Sequence, residues 1–295
     1  MTMATRGQKT GQTGGQETVA EAIRAGLHEL TATEQKAART LLAGYPVTGL
    51  ETVAEFARRA SVSAPTILRF VAKLGFDSYP DFQRALRAEL NAQLATPLAK
   101  RDIPQQPAAT GSDAFLERFR SALADNLAQT FAHLPGGEFE ATVKLVAQTR
   151  GQIYVIGGRF TDGLARYLSA HLRIVRPGVI HLAGQADNWR DQLLDMSRKD
   201  LLIVFDIRRY SDDLARFTAA AAKRNAPIVL LTDQWLSPIA AHARHVLAAR
   251  VAAPSNWDST VAILGLAEAL VAATTEALWE SARPRIDALE RMREG

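Results

Sequence analysis

The sequence predicts two domains of different class: an all-α domain, then an α/β domain on a doubly wound, five-stranded parallel sheet. Three observations predict this. From Glu17 to Leu94 apolar residues recur at three- and four-residue spacing. A stretch with three prolines and almost no periodicity, "ATPLAKRDIPQQPAATGSD", follows from Ala95 to Asp113. Beyond it, short apolar runs alternate with longer segments, and the first four runs are far enough apart for crossover helices between them. The expected divisions are a polar, Gly-rich, disordered tail at 1–16, a helical domain at 17–95, a linker at 96–112 and the α/β domain at 113–295.

In chain order, the helical signals are Val19, Ile23 and Leu27, then Ala37, Leu41 and Leu42, then Val53, Phe56 and Ala57, then Ile67, Phe70, Val71 and Leu74. After the linker, helices near 113–134 and 138–149 lead into the expected strands. These are "IYVI" (153–156), "GVIHLA" (178–183), "DLLIVFD" (200–206), "APIVLLTD" (226–233) and "HVLAA" (245–249). Their number suggests a flavodoxin-like arrangement. An Ala-rich helix from about Asp258 to Ser281 closes the chain.

Composition excludes several classes. The 295 residues are 47% apolar and 22% charged, enough for a sizeable core in each domain. There is no cysteine, hence no disulfide frame and no Cys-ligated metal. No apolar run approaches the roughly 20 residues of a membrane helix, and the first residues lack the apolar stretch of a signal peptide. A cytoplasmic protein without a membrane partner is expected. The net charge of +4 is too small to argue for a nucleic-acid partner by itself.

The stronger argument for DNA is local. In "VAEFARRASVSAPTILRFVAK", Val53 to Lys73, Phe56, Ala60, Val62, Ile67 and Phe70 fall at the apolar offsets of a helix-turn-helix. Ala57 supplies the small residue that lets the two helices approach, and Ser61 stands in the turn where Gly is common. Ser63 is placed to cap the second helix, with Pro65 in its first turn. The outward positions are then Ala64, Pro65, Thr66, Arg69 and Lys73. Of these, Arg69 and Thr66 are suited to base edges or phosphates.

The run "TATEQKAARTLL … VAEFARRASVSAPTILRFVAKLGFDSYPDFQRAL" resembles the N-terminal domain of the RpiR (MurR/RpiR) family of bacterial transcription regulators. Ser63, Thr66, Arg69, Phe70, Lys73, Leu74, Gly75 and Phe76 carry the match, with Asp81 and Phe82 opening the next helix. The resemblance implies a double-stranded DNA operator as partner. It also implies that Ser63, Thr66, Arg69 and Lys73 lie on the recognition helix.

Residues 115–280 resemble the SIS (sugar isomerase) domain that follows in such regulators. The resemblance implies phosphate binding by a "G-x-G-x-S" loop after the first strand and an "S-x-S-G-x-T" loop after the third. Both loops depart here. The first reads Gly157, Gly158, Arg159, Phe160, Thr161, with Arg in place of the second family glycine. In the second, "FDIRRYSDD", Asp206 replaces the first Ser, Arg208 and Arg209 replace Ser-Gly, and Ser211 keeps a hydroxyl. With strand order 2-1-3-4-5, both loops meet at the carboxyl ends of adjacent strands, where such folds bind ligands.

Gly157, Gly158, Arg159, Thr161, Arg208, Arg209, Ser211 and Ser255 are therefore the candidate residues for a small anionic effector, a sugar phosphate or another phosphate or carboxylate. Alternatively, the arginines pair with Asp162, Asp206 or Asp212, and the domain is only a dimerisation scaffold. Asp258 or Ser259 is placed to cap the last long helix, and Trp257 is expected in the core. His133, His171, His181, His242 and His245 lack carboxylates at metal spacing, so neither metal nor cofactor is expected.

Two functions compete at this point. One is a ligand-responsive transcription regulator, a homodimer or homotetramer. The other is a sugar-phosphate isomerase, which needs a proton-transferring base in the crevice. Glu268 and Glu276 lie on the last long helix and not on a crevice loop, so no catalytic residue is assigned.

Overall fold

A computed structural model describes residues 17–102, 112–184 and 186–294. The tail at 1–16 and most of the linker, 103–111, lie outside the described residues.

The helical part comprises α1 (Val19–Gly26), α2 (Ala32–Ala43), α3 (Val47–Leu50), α4 (Val53–Ala60), α5 (Ala64–Lys73) and α6 (Tyr79–Leu94). Capping explains several starts. Thr18, Thr31 and Thr52 each accept the N–H three residues on, while Glu21, Glu34 and Glu55 return the bond, so α1, α2 and α4 each open on a reciprocal pair. Helix α4 ends on Ser61 in the left-handed region at φ 52°, making the sharp turn into α5. Phe56, Ile67, Phe70, Phe82 and Leu86 are fully buried and glue α4, α5 and α6 together. The expected linker is ordered at its start: α7 (Pro97–Asp102) forms there.

The second part begins with α8 (Ser112–His133) and α9 (Gly136–Gln148). It continues as β1 (Ile153–Gly157), α10 (Asp162–Val175), β2 (Val179–His181), α11 (Ala186–Gln192), β3 (Leu201–Asp206), α12 (Asp212–Lys223), β4 (Ile228–Asp233) and β5 (His245–Ala249). All pairings are parallel, in the order β2-β1-β3-β4-β5. Residues of β1, β3 and β4 are buried on both faces, which is why these strands read as unbroken apolar runs. One face is covered by α9, α10 and α13 (Val261–Ala277), the other by α11 and α12.

The expected single helix to Ser281 is in fact two. Helix α13 ends at Ala277, and α14 (Trp279–Glu294) turns off at 104° and packs on α10. No single helix among the described residues is long and apolar enough to cross a membrane.

The two parts are docked. Leu236, just after β4, joins the core of the helical part. The buried Arg250 guanidinium, after β5, donates to Glu21 of α1 at 2.8 and 2.6 Å. Arg24 of α1 donates to the carbonyl of Val246 in β5. A buried ion pair that loses one partner strands a charge, at a cost of about 3–5 kcal/mol. Glu21→Ala is therefore expected to lower the melting temperature and expose α1 to limited proteolysis.

Candidate functional site

Helix α5 presents Pro65, Leu68, Arg69, Ala72 and Lys73 to solvent. Arg69 is exposed, as expected, with one nitrogen 3.3 Å from the Thr66 hydroxyl. Thr66 itself is buried and shares a 2.9 Å bond with the Ser63 hydroxyl. It falls on the helix stripe of Ile67 and Phe70, so it orients Arg69 and does not itself face DNA. Ser63 has N-cap backbone angles but makes no side-chain cap bond, because its hydroxyl is turned to Thr66. Lys73 is tied to the buried Glu34 carboxylate at 2.7 Å, an ion pair with α2. That pair, with bonds from Thr31, holds Glu34 below the usual carboxylate range against its own desolvation. Leu68, 48% exposed beside Arg69, is an addition that apolar periodicity alone did not single out.

The second site lies at the carboxyl ends of β1 and β3. A cavity of about 440 Å³ is lined by the loop 158–161, the loop 206–211 and Trp257, a size suited to a small metabolite. Gly157 turns the first loop. A Cβ there would stand 2.5 Å from the Thr161 carbonyl oxygen, so only glycine fits. Gly157→Ala is expected to destabilise the domain by about 1–3 kcal/mol, read from urea unfolding. At Gly158 the nearest atom to a Cβ would be 3.5 Å away, an ordinary contact.

The loop's polar groups serve the loop itself. The Gly158 N–H donates to the Thr161 hydroxyl at 2.8 Å, and that hydroxyl donates to the Phe205 carbonyl at 2.7 Å. Thr161 is thus a brace from β1 to β3 and not a ligand hydroxyl. Ser211 caps α12, accepting the Leu214 N–H, which leaves its own proton available. Ser255 accepts the Trp257 N–H and is not among the residues that line the cavity.

The three arginines divide. Arg159 and Arg209 lie at the mouth with guanidiniums 5.2 and 5.6 Å from the Phe160 ring centre, and Arg209 is also 5.3 Å from that of Trp257. No hydrogen bond or ion pair engages either guanidinium among the described residues. Trp257, expected in the core, is 55% exposed and sits 5.9 Å from Phe160, centre to centre.

Arg208 departs from expectation. Its side chain is 4% exposed and forked onto Asp258, with Nε 3.0 Å from Oδ2. Its Nη1 donates to the Ala92 carbonyl at 2.7 Å, and its plane lies over Trp235. Asp258 therefore does not cap α13. Ser259 serves the helix start instead, accepting the Val261 N–H. Arg208 is committed, but not to Asp162, Asp206 or Asp212. Asp162 instead pairs with His181 at 2.8 Å, a partner the sequence had not suggested for that histidine.

Asp206, on the crevice floor, is 3% exposed. Burial pushes its carboxyl up to about 7, against the opposing bonds from the Ser237 hydroxyl (2.6 Å) and the Ser211 N–H (3.3 Å). A second cleft, about 510 Å³ between α1 and the α8–α9 turn, has its main polar side chains engaged. Arg24 bonds Val246, and Gln35 bonds Leu27 and Leu30. No group of three or more potential metal ligands clusters among the described residues.

A helix-turn-helix domain docked on a doubly wound domain with a crevice at its strand ends defines a class, the two-domain DNA-binding regulators. Comparison with known proteins makes it specific. Residues 17–93 match the helix-turn-helix domain of the rpiR family, and residues 145–273 match the SIS domain. The chain is an RpiR-type transcriptional regulator with a SIS domain.

It is 25% identical over 222 residues to an HTH-type transcriptional regulator of Haemophilus influenzae, covering 74% of this chain and 75% of that one. The sugar isomerase domain of an RpiR transcription factor from Sphaerobacter thermophilus is similar at 26% identity and TM-score 0.56, over 60% of this chain and 98% of that one. The NanR protein of Vibrio vulnificus, solved with ManNAc-6P, shares the fold over 93% of this chain and 97% of its own, at 18% identity and TM-score 0.53.

Proposed function

We propose that the chain reads an operator through α5 and that its affinity for the operator is set by a small anion, best a sugar phosphate, held in the crevice. The observation that carries the ligand half is the mouth itself. Arg159 and Arg209 meet there above a cavity of metabolite size, unpaired by any acid among the described residues. Guanidiniums gathered this way repel unless an oxyanion lies between them, and their forks suit phosphate or carboxylate. The N–H groups of Gly158, Thr161, Arg208 and Ser211 and the Thr161 hydroxyl are spent inside the protein. The grip is thus by side chains, with Trp257 and Phe160 offering faces to a sugar ring. The similarity in fold to NanR, which binds ManNAc-6P, supports a sugar phosphate.

The regulator works in the cytoplasm as a homodimer or homotetramer on a two-fold site. The test is a thermal-shift screen of sugar phosphates, sugar acids and small carboxylates, then operator binding with each hit. A screen without a hit, repeated by calorimetry, removes the ligand half of the proposal.

A SIS-fold isomerase is the second reading, and Asp206 favours it. A crevice carboxyl raised to about 7 has the strength of a general base. Both its oxygens already accept hydrogen bonds, from the Ser237 hydroxyl and the Ser211 N–H, so we assign it no proton transfer to a substrate. No turnover of aldose or ketose phosphates is expected; turnover abolished by Asp206→Asn would make the chain an enzyme.

The same carboxyl gives a pH dependence. An anion beside Asp206 favours its neutral form, so binding takes up a proton. Affinity for inorganic sulfate, whose charge is constant, is expected to fall from about pH 6 to about pH 8, approaching roughly tenfold per unit where a full proton is taken up. Titrations at constant ionic strength check this, and a flat profile contradicts it.

A further inference from the structure

The crevice loop after β3 has two sides. Asp206, Ile207, Arg208, Arg209 and Ser211 line the cavity. The guanidinium of Arg208 also reaches the last turn of α6, the helix that ends the DNA-binding domain. Arg208 donates to the Ala92 carbonyl at 2.7 Å, and the Tyr210 hydroxyl donates to the buried Asp233 at 2.8 Å. Asp258, which anchors Arg208, also holds Lys100 of α7 at 2.8 Å. So one buried carboxylate clamps a crevice-loop arginine, and through it the end of α6, together with the first helix beyond it.

Each half of the clamp is the chain neighbour of a crevice residue. Arg208 precedes Arg209, and Asp258 follows Trp257. Those neighbours touch one another across the mouth, with the Arg209 guanidinium 5.3 Å from the Trp257 ring centre. Arg209 also holds a left-handed backbone, φ 66°, a costly state for a residue with a Cβ and one that relaxation of the loop would abandon. A ligand that parts Arg209 from Trp257 pulls on both ends of the Arg208–Asp258 pair at once.

Helix α6 carries the displacement. Its 16 residues span about 24 Å. At its far end Tyr79, Phe82 and Leu86 are packed into the core that holds α5.

We propose that Arg208, Asp258 and Lys100 form the coupling latch of this regulator, through which crevice occupancy sets the position of α6 and hence of α5. The proposal rests on the effector crevice described above. Arg208 is a positioning residue here: it takes no part in gripping the anion.

The test is a double-mutant cycle read by hydrogen exchange on the full chain without ligand, so that it stands apart from the ligand assignment. Arg209→Ala alters the crevice face, where its guanidinium lies against the Phe160 and Trp257 rings, and it also removes a like charge that acts on Lys100. It is expected to change exchange rates over residues 88–100 by about 5- to 100-fold, the range of ordinary coupling between sites. In an Asp258→Asn background, where the clamp is already loosened, Arg209→Ala is expected to add no further change there. Unaltered exchange in α12 and β3 establishes that the variants are folded. If Asp258→Asn fails to fold, Lys100→Ala takes its place.

The latch is overturned if Arg209→Ala leaves 88–100 unchanged, or changes it equally in both backgrounds. A second arm adds inorganic phosphate. Phosphate binding that shifts exchange at 88–100 in the parent but not in Asp258→Asn supports the latch; binding without any such shift overturns it. If phosphate does not bind, the anion assignment of the crevice fails, and the ligand-free cycle alone decides the latch.

Discussion

Arg69→Ala is expected to weaken operator binding by about 1–3 kcal/mol, roughly 5- to 150-fold, with the loss concentrated on one base position. Arg69 is the exposed cation of α5 whose head is steadied by a neighbour, the Thr66 hydroxyl at 3.3 Å. Lys73→Ala is expected to behave differently. Its ammonium is tied to Glu34, so the change loosens α5 from α2 and alters the salt dependence of binding little. Thr66→Ala should act through Arg69 and through stability, because Thr66 is buried. Fluorescence anisotropy on an operator selected from random DNA separates these cases. Parent-like affinity and sequence preference in Arg69→Ala would remove α5 as the reading helix.

Arg209→Ala is expected to cost the crevice about 1.5–3 kcal/mol of anion affinity, roughly 10- to 100-fold, and Arg159→Ala a similar amount. Neither guanidinium is bonded within the chain among the described residues, so neither change should lower the melting temperature by much. Arg208→Ala is the contrast. It leaves the buried Asp258 with Lys100 as its remaining cation and frees the Ala92 carbonyl, so its first effect is on stability. Isothermal titration with the best hit of the metabolite screen, set beside thermal unfolding, distinguishes grip from clamp. Equal ligand affinity in the parent, Arg159→Ala and Arg209→Ala would mean that the mouth is no anion site.

The fold was legible because its signals are local or periodic. The β1, β3 and β4 runs are buried on both faces and so are continuous. The Val53–Lys73 offsets are those of two helices in contact, and the sheet has the order assumed for the crevice. The break between α13 and α14 was not legible, because "TTEALWESARPR" keeps a helical composition through the bend.

The site was legible in position but not in the use of each residue. Both arginine loops do meet at the strand ends. What sequence could not show is that Arg208 finds its acid 50 residues downstream and its carbonyl 116 residues upstream, across the domain joint. The hydroxyls of Thr66 and Thr161 are both buried and bonded within the fold. A hydroxyl can serve a ligand or a backbone carbonyl, and only the packed fold decides which. At Trp257-Asp258-Ser259, helix capping accounts for the acid by itself, so nothing local in the sequence points to the Arg208 pairing of Asp258 or to the exposure of Trp257.

The central claim is that one chain couples a crevice anion to an operator. Coupling between two binding equilibria is reciprocal. The most direct measurement is therefore the operator affinity of the full chain with and without saturating ligand, paired with the ligand affinity with and without operator. Both are expected to change by one and the same factor, about 5-fold or more, and Asp258→Asn is expected to bring that factor close to one while both partners still bind. A ligand that binds in the crevice yet leaves operator affinity unchanged would contradict it.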